Sequence, residues 1–107
     1  MTGACIIQCA VGDEAEAEVI AEALLAGRLA ACVQFMPVRS RYVWKGAAES
    51  ADEVLLLIKT RADLFDAVRT AIRSLHSYET PEILATPVQA IDGEYLAWLL
   101  ESTGGPT

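Results

Sequence analysis

The 107-residue sequence predicts a single domain, residues 1–107, of mixed α and β structure. Short β-branched apolar runs alternate along the chain with segments in which apolar residues recur at helical spacing. Glycine or proline separates most of these segments, as is typical of the boundaries between secondary-structure elements. Because 53% of the residues are hydrophobic, the chain has enough apolar surface to bury a core.

The first strand and the first helix are predicted directly from the pattern. Residues 4–11 are apolar and β-branched, which predicts a buried strand that ends at Gly12. Asp13 is expected to begin a helix, because Glu16 follows it at the spacing of a capping box, and Gly27 is expected to end it. The expected inward-facing residues of this helix are Val19, Ile20, Ala23 and Leu24.

A long extended run occupies residues 30–45, and Pro37 within it predicts a bulge, a bend or an edge position. After this proline the side chains alternate between Val38, Ser40, Tyr42 and Trp44 on one face and Arg39, Arg41 and Lys45 on the other. Residues 46–48 predict a hairpin turn. Residues 53–60 are apolar on both faces, so we expect a central strand there.

The second helix is predicted to begin at Thr60 and to turn Leu64, Phe65, Val68, Ala71, Ile72 and Leu75 inward. Residues 82–91 predict a fourth strand broken at Pro87, and Asp92 is expected to cap a final helix over 94–101, before a frayed tail at 104–106. The resulting order, β-α-β-β-α-β plus a C-terminal helix, is that of the ferredoxin-like α+β sandwich.

The length of the second strand predicts self-association. Residues 30–45 would extend roughly 50 Å at ~3.3 Å per residue, whereas a domain of this size has a radius of gyration of about 13 Å. We therefore expect the hairpin to project beyond the core. Tyr42 and Trp44 would then need a covering surface, and another copy of the chain is the simplest source.

The formal net charge of −7 argues against nucleic acid and against anionic membranes as partners, because phosphates attract basic surfaces. It is compatible with metal ions, although solubility alone can account for it. No secretion signal or membrane-spanning stretch is recognisable, so we expect a cytoplasmic protein. The three cysteines, Cys5, Cys9 and Cys32, form no C-x-x-C pair and are expected to be free thiols.

The only histidine, His76, lies where the second helical pattern stops. It is a candidate metal ligand, proton carrier or helix C-cap. Cys9 lies near the end of the first strand, and it is either a packed apolar side chain or a ligand. Thiolate and imidazole together suit copper or zinc, but one of each is too few for a tight site within one protomer. Two alternatives stay open, namely a site that shares ligands between protomers and a site that binds metal only weakly.

No nucleophile, base and orienting group occur together in a recognisable motif, so the sequence does not predict an enzyme. Taken alone, Glu53 and Lys59 indicate ordinary salt bridging, and Tyr42 and Trp44 indicate an interface or a core.

Five motifs follow one another on the predicted elements. They are Ala30-Ala31-Cys32-Val33, Tyr42-Val43-Trp44-Lys45-Gly46, Glu53-Val54 through Ile58-Lys59-Thr60, His76-Ser77-Tyr78-Glu79-Thr80-Pro81-Glu82-Ile83 and Glu94-Tyr95-Leu96-Ala97-Trp98. Together they closely resemble the CutA family, the divalent-cation tolerance proteins. The match covers the chain roughly from Ala4 to Leu100. The resemblance implies a tight cytoplasmic homotrimer with a PII-like architecture and a link to tolerance of divalent cations, copper especially.

The resemblance also implies site residues. Cys9 and His76 match the family's suggested copper ligands, and Trp44, Glu53, Lys59, Tyr78 and Glu82 match positions that look like the walls of an inter-subunit cleft. Two positions depart from the pattern. Leu75 stands where some members have a second histidine, and Ser77 stands in place of the usual proline, which predicts a less rigid turn.

Three hypotheses follow. The first is a homotrimeric cation-tolerance protein that binds copper or a related divalent ion through Cys9 and His76. The second is a PII-like signalling or interaction module that binds a small molecule or a partner in its cleft. The third is a purely structural role that depends on a very stable trimer.

Overall fold

The chain folds into a four-stranded antiparallel sheet with helices on it, in the element order predicted. The computed structural model describes residues 2–104. The elements are β1 (Ala4–Val11), α1 (Glu14–Ala26), β2 (Cys32–Trp44), β3 (Ala47–Arg61), a 3-10 turn (Ala62–Leu64), α2 (Phe65–Leu75), β4 (Leu84–Pro87) and α3 (Gly93–Ser102). In this part of the chain, no helix has the length and apolar character needed to cross a membrane.

The strand order is β2-β3-β1-β4, so β1 and β3 are central and the prediction of a central third strand is confirmed. β1 and β3 pair without interruption from Ala4 opposite Arg61 to Val11 opposite Val54. This register turns alternate residues of both strands toward α1 and α2, where they are buried. The core consists mainly of Cys5, Ile7, Cys9, Val11, Ile20, Leu24, Leu56, Ile58, Val68 and Ile72.

α1 is capped as predicted, since the Asp13 carboxylate accepts the Glu16 N–H at 2.9 Å. Its buried face differs from the prediction. Val19 is 54% exposed and Ala23 is also exposed, while Ala17 and Ala21 join Ile20 and Leu24 in the core. The two alanines permit close approach of the helix to the sheet, whereas the sequence pattern favoured the larger side chain.

The β2–β3 hairpin projects beyond the core, as its length predicted. Residues 41–50 are all exposed, and the molecule measures 44 × 27 × 21 Å. The turn was predicted one residue too late: it consists of Lys45 and Gly46, with φ of 51° and 82°, the type I′ geometry that matches strand twist. β3 also begins at Ala47 rather than at residue 53, because the small and charged residues after the turn pair with β2 without needing burial.

Both strand prolines lie on edge strands. Pro37 pairs opposite Val54 in an unbroken register, so of the three alternatives the edge position is the one found. β4 is shorter than the predicted 82–91 and ends at Pro87. A proline on an edge strand removes no hydrogen bond from the sheet interior.

α2 begins later than predicted. Thr60 belongs to β3, where it is fully buried opposite Cys5 and donates its hydroxyl to the Leu29 carbonyl at 2.6 Å. The buried hydrogen bond explains why a polar residue continues the strand. At the other end of α2, Leu75 is 41% exposed, so its predicted inward orientation is wrong.

α3 lies beside Lys59 and Arg61, which alternate with the buried Ile58 and Thr60 and therefore project from the opposite sheet face. Asp92 caps it as predicted. The Arg61 guanidinium donates to the Leu100 carbonyl at 2.6 Å, and Arg28 donates to the Glu101 carbonyl at 2.7 Å. These cations satisfy carbonyls at a helix end that carries no basic residue of its own. Of the predicted tail, residues 105 and 106 lie outside the described residues.

The remainder of that sheet face carries apolar side chains without a helix over them. Leu55 and Leu57 are half-buried, while Met36 and Leu84 are 44% and 45% exposed. Cross-strand pairing places Met36 beside Leu55 and places Leu57 and Leu84 on either side of Gln8. We call these four residues the open sheet face.

Replacing Gly46 with alanine should destabilise the hairpin. A Cβ group in the left-handed region costs roughly 1–2 kcal/mol, so we expect a lower thermal unfolding midpoint. Gly93→Ala is the matched control, because Gly93 begins α3 with open space around its Cα and a backbone that alanine favours. Its midpoint should stay level or rise. An equal loss in both variants, at matched protein concentration, would contradict the turn assignment.

Candidate functional site

His76 ends α2, and its side chain is fully buried. Its Nε2 lies 2.8 Å from the Ala10 carbonyl oxygen, which only accepts, so Nε2 carries the proton and donates. Its Nδ1 accepts the Tyr78 N–H at 3.0 Å. Both ring nitrogens are therefore engaged, and the ring holds the end of β1 against the segment after α2. His76 is also the C-cap residue of α2, one of its three predicted roles.

Glu16 fastens this segment to α1. Its carboxylate accepts the Ser77 N–H and the Ser77 hydroxyl, each at 2.9 Å, and one of its oxygens lies 3.3 Å from His76 Nδ1. We call the two hydrogen bonds the Glu16–Ser77 clasp. A proline at position 77 has no N–H to donate. The sequence predicted a less rigid turn because Ser77 replaces the usual proline. In the structure, two hydrogen bonds from Ser77 to Glu16 hold this turn.

Tyr78 extends the network to the central sheet. Its hydroxyl donates to the Glu53 carboxylate at 2.8 Å, and its ring lies 4.7 Å from the His76 ring, centroid to centroid. Burial, followed by the hydrogen bond to Glu53, raises the pKa of Tyr78 well above its ordinary value. The phenol is therefore a proton donor to Glu53 throughout the physiological range.

Cys9 converges on the same backbone carbonyl as His76. Its Sγ lies 3.9 Å from the Ala10 oxygen that accepts from the imidazole, so the structure brings the two predicted metal ligands together. Cys9 is completely buried. Burial, reinforced by the negative charges of Glu82, Glu16 and Glu53, raises the pKa of the Cys9 thiol to about 12. At neutral pH this side chain is a thiol rather than a thiolate.

As they are bonded in a single chain, these side chains do not form a metal centre. To bind a metal, a cysteine must lose its proton and a histidine must have a free ring nitrogen, whereas Cys9 is protonated and both nitrogens of His76 are engaged. Across residues 2–104, no three histidine, cysteine or acidic side chains are grouped as a metal site requires. The assignment of Cys9 and His76 as ligands stays a prediction.

A groove of about 880 Å³ lies beside this network, where the hairpin meets the segment after α2. Four of the five predicted cleft residues line it, namely Trp44, Glu53, Tyr78 and Glu82, together with Ala10, Ser40, Arg41, Tyr42, Val43, Glu79, Thr80 and Pro81. The fifth, Lys59, lies elsewhere in the chain, with its Nζ 5.9 Å from the centroid of the Tyr95 ring on α3.

Sequence reasoning missed Glu16, Arg41 and Glu79 as site residues. Glu16 occupies the capping-box position of α1, and that local role concealed its long-range bonds to Ser77. No local signal distinguishes such a carboxylate from any other acidic residue in a first helical turn.

The Glu16–Ser77 clasp should contribute measurably to stability. We expect Ser77→Ala and Glu16→Gln each to lower the unfolding free energy by about 1 kcal/mol, because each removes or weakens a hydrogen bond to a charged acceptor. In a double-mutant cycle the two losses should be non-additive, since both act on one contact. Exposed Glu18 on the same helix provides the control, Glu18→Gln. Additive losses, or an equal loss in the control, would refute the clasp.

Comparison with known proteins gives the same family as the sequence motifs. Residues 5–102 match the profile of CutA1, described as a divalent ion tolerance protein. The chain is 43% identical over 97 residues to the divalent-cation tolerance protein CutA of Pectobacterium atrosepticum, covering 90% of this chain and 88% of the relative.

Solved structures agree with this match. The divalent cation tolerance protein of Thermus thermophilus superposes with a TM-score of 0.92 and 40% identity, covering 94% of this chain and 99% of that one. The Archaeoglobus fulgidus protein, described as a periplasmic divalent cation tolerance protein CutA, superposes with a TM-score of 0.91 and 38% identity. The match covers 92% of this chain and 97% of that one. On this extent of similarity, the chain belongs to the CutA1 family of divalent ion tolerance proteins.

Proposed function

We propose that this CutA chain acts in divalent-cation tolerance as a homotrimer with a PII-like architecture. The observation that carries the assembly is the open sheet face, whose leucines and Met36 lie on the side of the sheet away from α1 and α2. A sheet with one apolar face uncovered needs another layer. The family resemblance implies that two further copies supply it.

The projecting hairpin supports the same assembly. Val43 at its end is 74% exposed, Tyr42 is 44% exposed and Trp44 is 38% exposed. Exposed aromatic and branched side chains on a long strand are typical of protein–protein contacts. In this proposal the hairpin of each copy reaches the groove of the next, so that the groove becomes an inter-subunit cleft.

For the metal, we propose weak binding of copper or a related divalent ion through Cys9 and His76. Their convergence on the Ala10 carbonyl supports the pairing. Binding would require the Cys9 thiol to lose its proton and His76 to release a hydrogen bond, and both requirements lower the affinity. A ligand from a neighbouring copy would complete the coordination.

Copper titration of four proteins tests this site. We expect Cys9→Ser and His76→Ala to weaken copper binding at least tenfold, with the loss of one ligand each. Cys32→Ser is the matched control, because Cys32 is a half-buried thiol on the edge strand β2, and its affinity should equal that of the wild type. Unchanged affinity in both ligand variants would remove the site.

A second function is favoured by the groove itself. Its volume lies within the range of small-molecule sites, and the predicted metal ligands are already engaged in the single chain. The alternative is therefore a PII-like module that binds a small molecule or a partner in the cleft. A rise in melting temperature with a metabolite in metal-free buffer would support it, and no shift across a broad panel would count against it.

We further propose a cytoplasmic location. Three free cysteines, two of them buried, suit a reducing compartment. The Archaeoglobus fulgidus relative is described as periplasmic, so cell fractionation is the direct measurement, and recovery with the periplasmic fraction would contradict the proposal.

A further inference from the structure

The groove has electron-rich aromatic walls. Tyr42 and Trp44 line it from the hairpin and Tyr78 lines it from the segment after α2. The Tyr78 ring is held in place by its hydrogen bond to Glu53 and by its contact with His76. Aromatic faces in this arrangement attract cations and also pack against apolar chains.

The charges of the groove favour a positively charged ligand. Three carboxylates line it, those of Glu53, Glu79 and Glu82, against the single guanidinium of Arg41. The chain as a whole carries a formal charge of −7, which adds to the attraction at long range.

An ammonium group already lies over one of these rings. The Lys45 Nζ is 5.6 Å from the centroid of the Trp44 ring, within the distance of a cation–π interaction. Lys45 is not one of the residues that line the groove, so this contact shows only that the Trp44 ring can lie within cation–π distance of an alkylammonium group.

The spacing of the carboxylates suits an extended organic cation better than a single metal ion. Glu53 directly precedes Val54, which pairs with Val11, whereas Glu82 accepts a hydrogen bond from Gln8 at 3.4 Å. Gln8 and Val11 are three strand residues apart, so the backbone positions next to which these two glutamates lie are roughly 10 Å from one another along β1. One metal ion needs its oxygens within about 2.6 Å, whereas ammonium groups joined by methylenes can reach both.

We propose that the groove binds a linear aliphatic polyamine, with its ammonium groups at the carboxylates and its methylenes against the aromatic rings. The proposal deepens the second function above and rests on it, because it names the ligand class of the same cleft. It is independent of copper binding at Cys9 and His76.

Calorimetric titration with spermidine in metal-free buffer tests the proposal. We expect saturable binding that weakens about fivefold or more in Glu82→Gln and in Trp44→Leu. Glu101→Gln, which removes an exposed carboxylate from α3, should bind as the wild type does. A neutral diol of similar length should bind much more weakly, and magnesium ions at equal ionic strength should compete poorly.

Several outcomes would overturn the proposal. The proposal is wrong if spermidine does not bind, or if the diol binds as tightly as spermidine. It is also wrong if magnesium competes efficiently with spermidine, or if Glu101→Gln weakens binding as much as Glu82→Gln does. If a metabolite of another class binds and is lost in Glu82→Gln while spermidine does not bind, the polyamine is wrong and the second function stands. Sedimentation of the same samples measures the oligomeric state independently of ligand binding.

Discussion

The register between β1 and β3 is the constraint on which the rest of the structure depends. Because side chains alternate, pairing Val11 with Val54 sends Cys9 and Leu56 into the core and leaves Gln8, Leu55 and Leu57 on the open sheet face. A slip of one residue would exchange the two sets. The same register places the Ala10 carbonyl near the end of β1 and Glu53 next to the last β1–β3 pair, where the site is built.

Hydrogen bonds at this site join the segment after α2 to three other elements, α1, β1 and β3. Glu16 of α1 holds Ser77, His76 holds Ala10 of β1, and Tyr78 holds Glu53 of β3. These contacts position one wall of the groove. They also occupy the groups that a metal would use, so tight metal binding by a single chain and the observed bonding exclude one another. The groove, unlike the Cys9–His76 pair, is open in the single chain.

Much of the fold could be predicted because its signals are local and periodic. The apolar runs of β1 and the later half of β3, the caps at Asp13 and Asp92, and the length of the hairpin are all readable from neighbouring residues. The predictions were wrong where a contact between distant parts of the chain determines the local structure. Thr60 is buried at the end of β3, where it donates a hydrogen bond to Leu29, and α1 buries Ala17 and Ala21 beside Ile20 and Leu24 while Val19 is exposed.

The site was predictable in composition but not in arrangement. The motifs supplied Trp44, Glu53, Tyr78 and Glu82, which the structure brings to one groove. Lys59 lies on the same face of β3 as Glu53 but six residues further along the strand, beside α3, and the family motifs carry no information on this distance. Glu16 and Ser77 are 61 residues apart, and no local pattern connects them.

Sedimentation equilibrium of the wild type and two variants tests most directly whether copies of the chain cover the open sheet face. We expect a trimer for the wild type and dissociation for Leu57→Glu, which introduces a charge on that face. Val19→Glu should leave the trimer intact, because Val19 is an exposed apolar residue on α1, across the sheet. Circular dichroism would confirm that the variants fold. A monomeric wild type, or a folded Leu57→Glu that sediments as the wild type does, would show that copies of the chain do not cover the open sheet face.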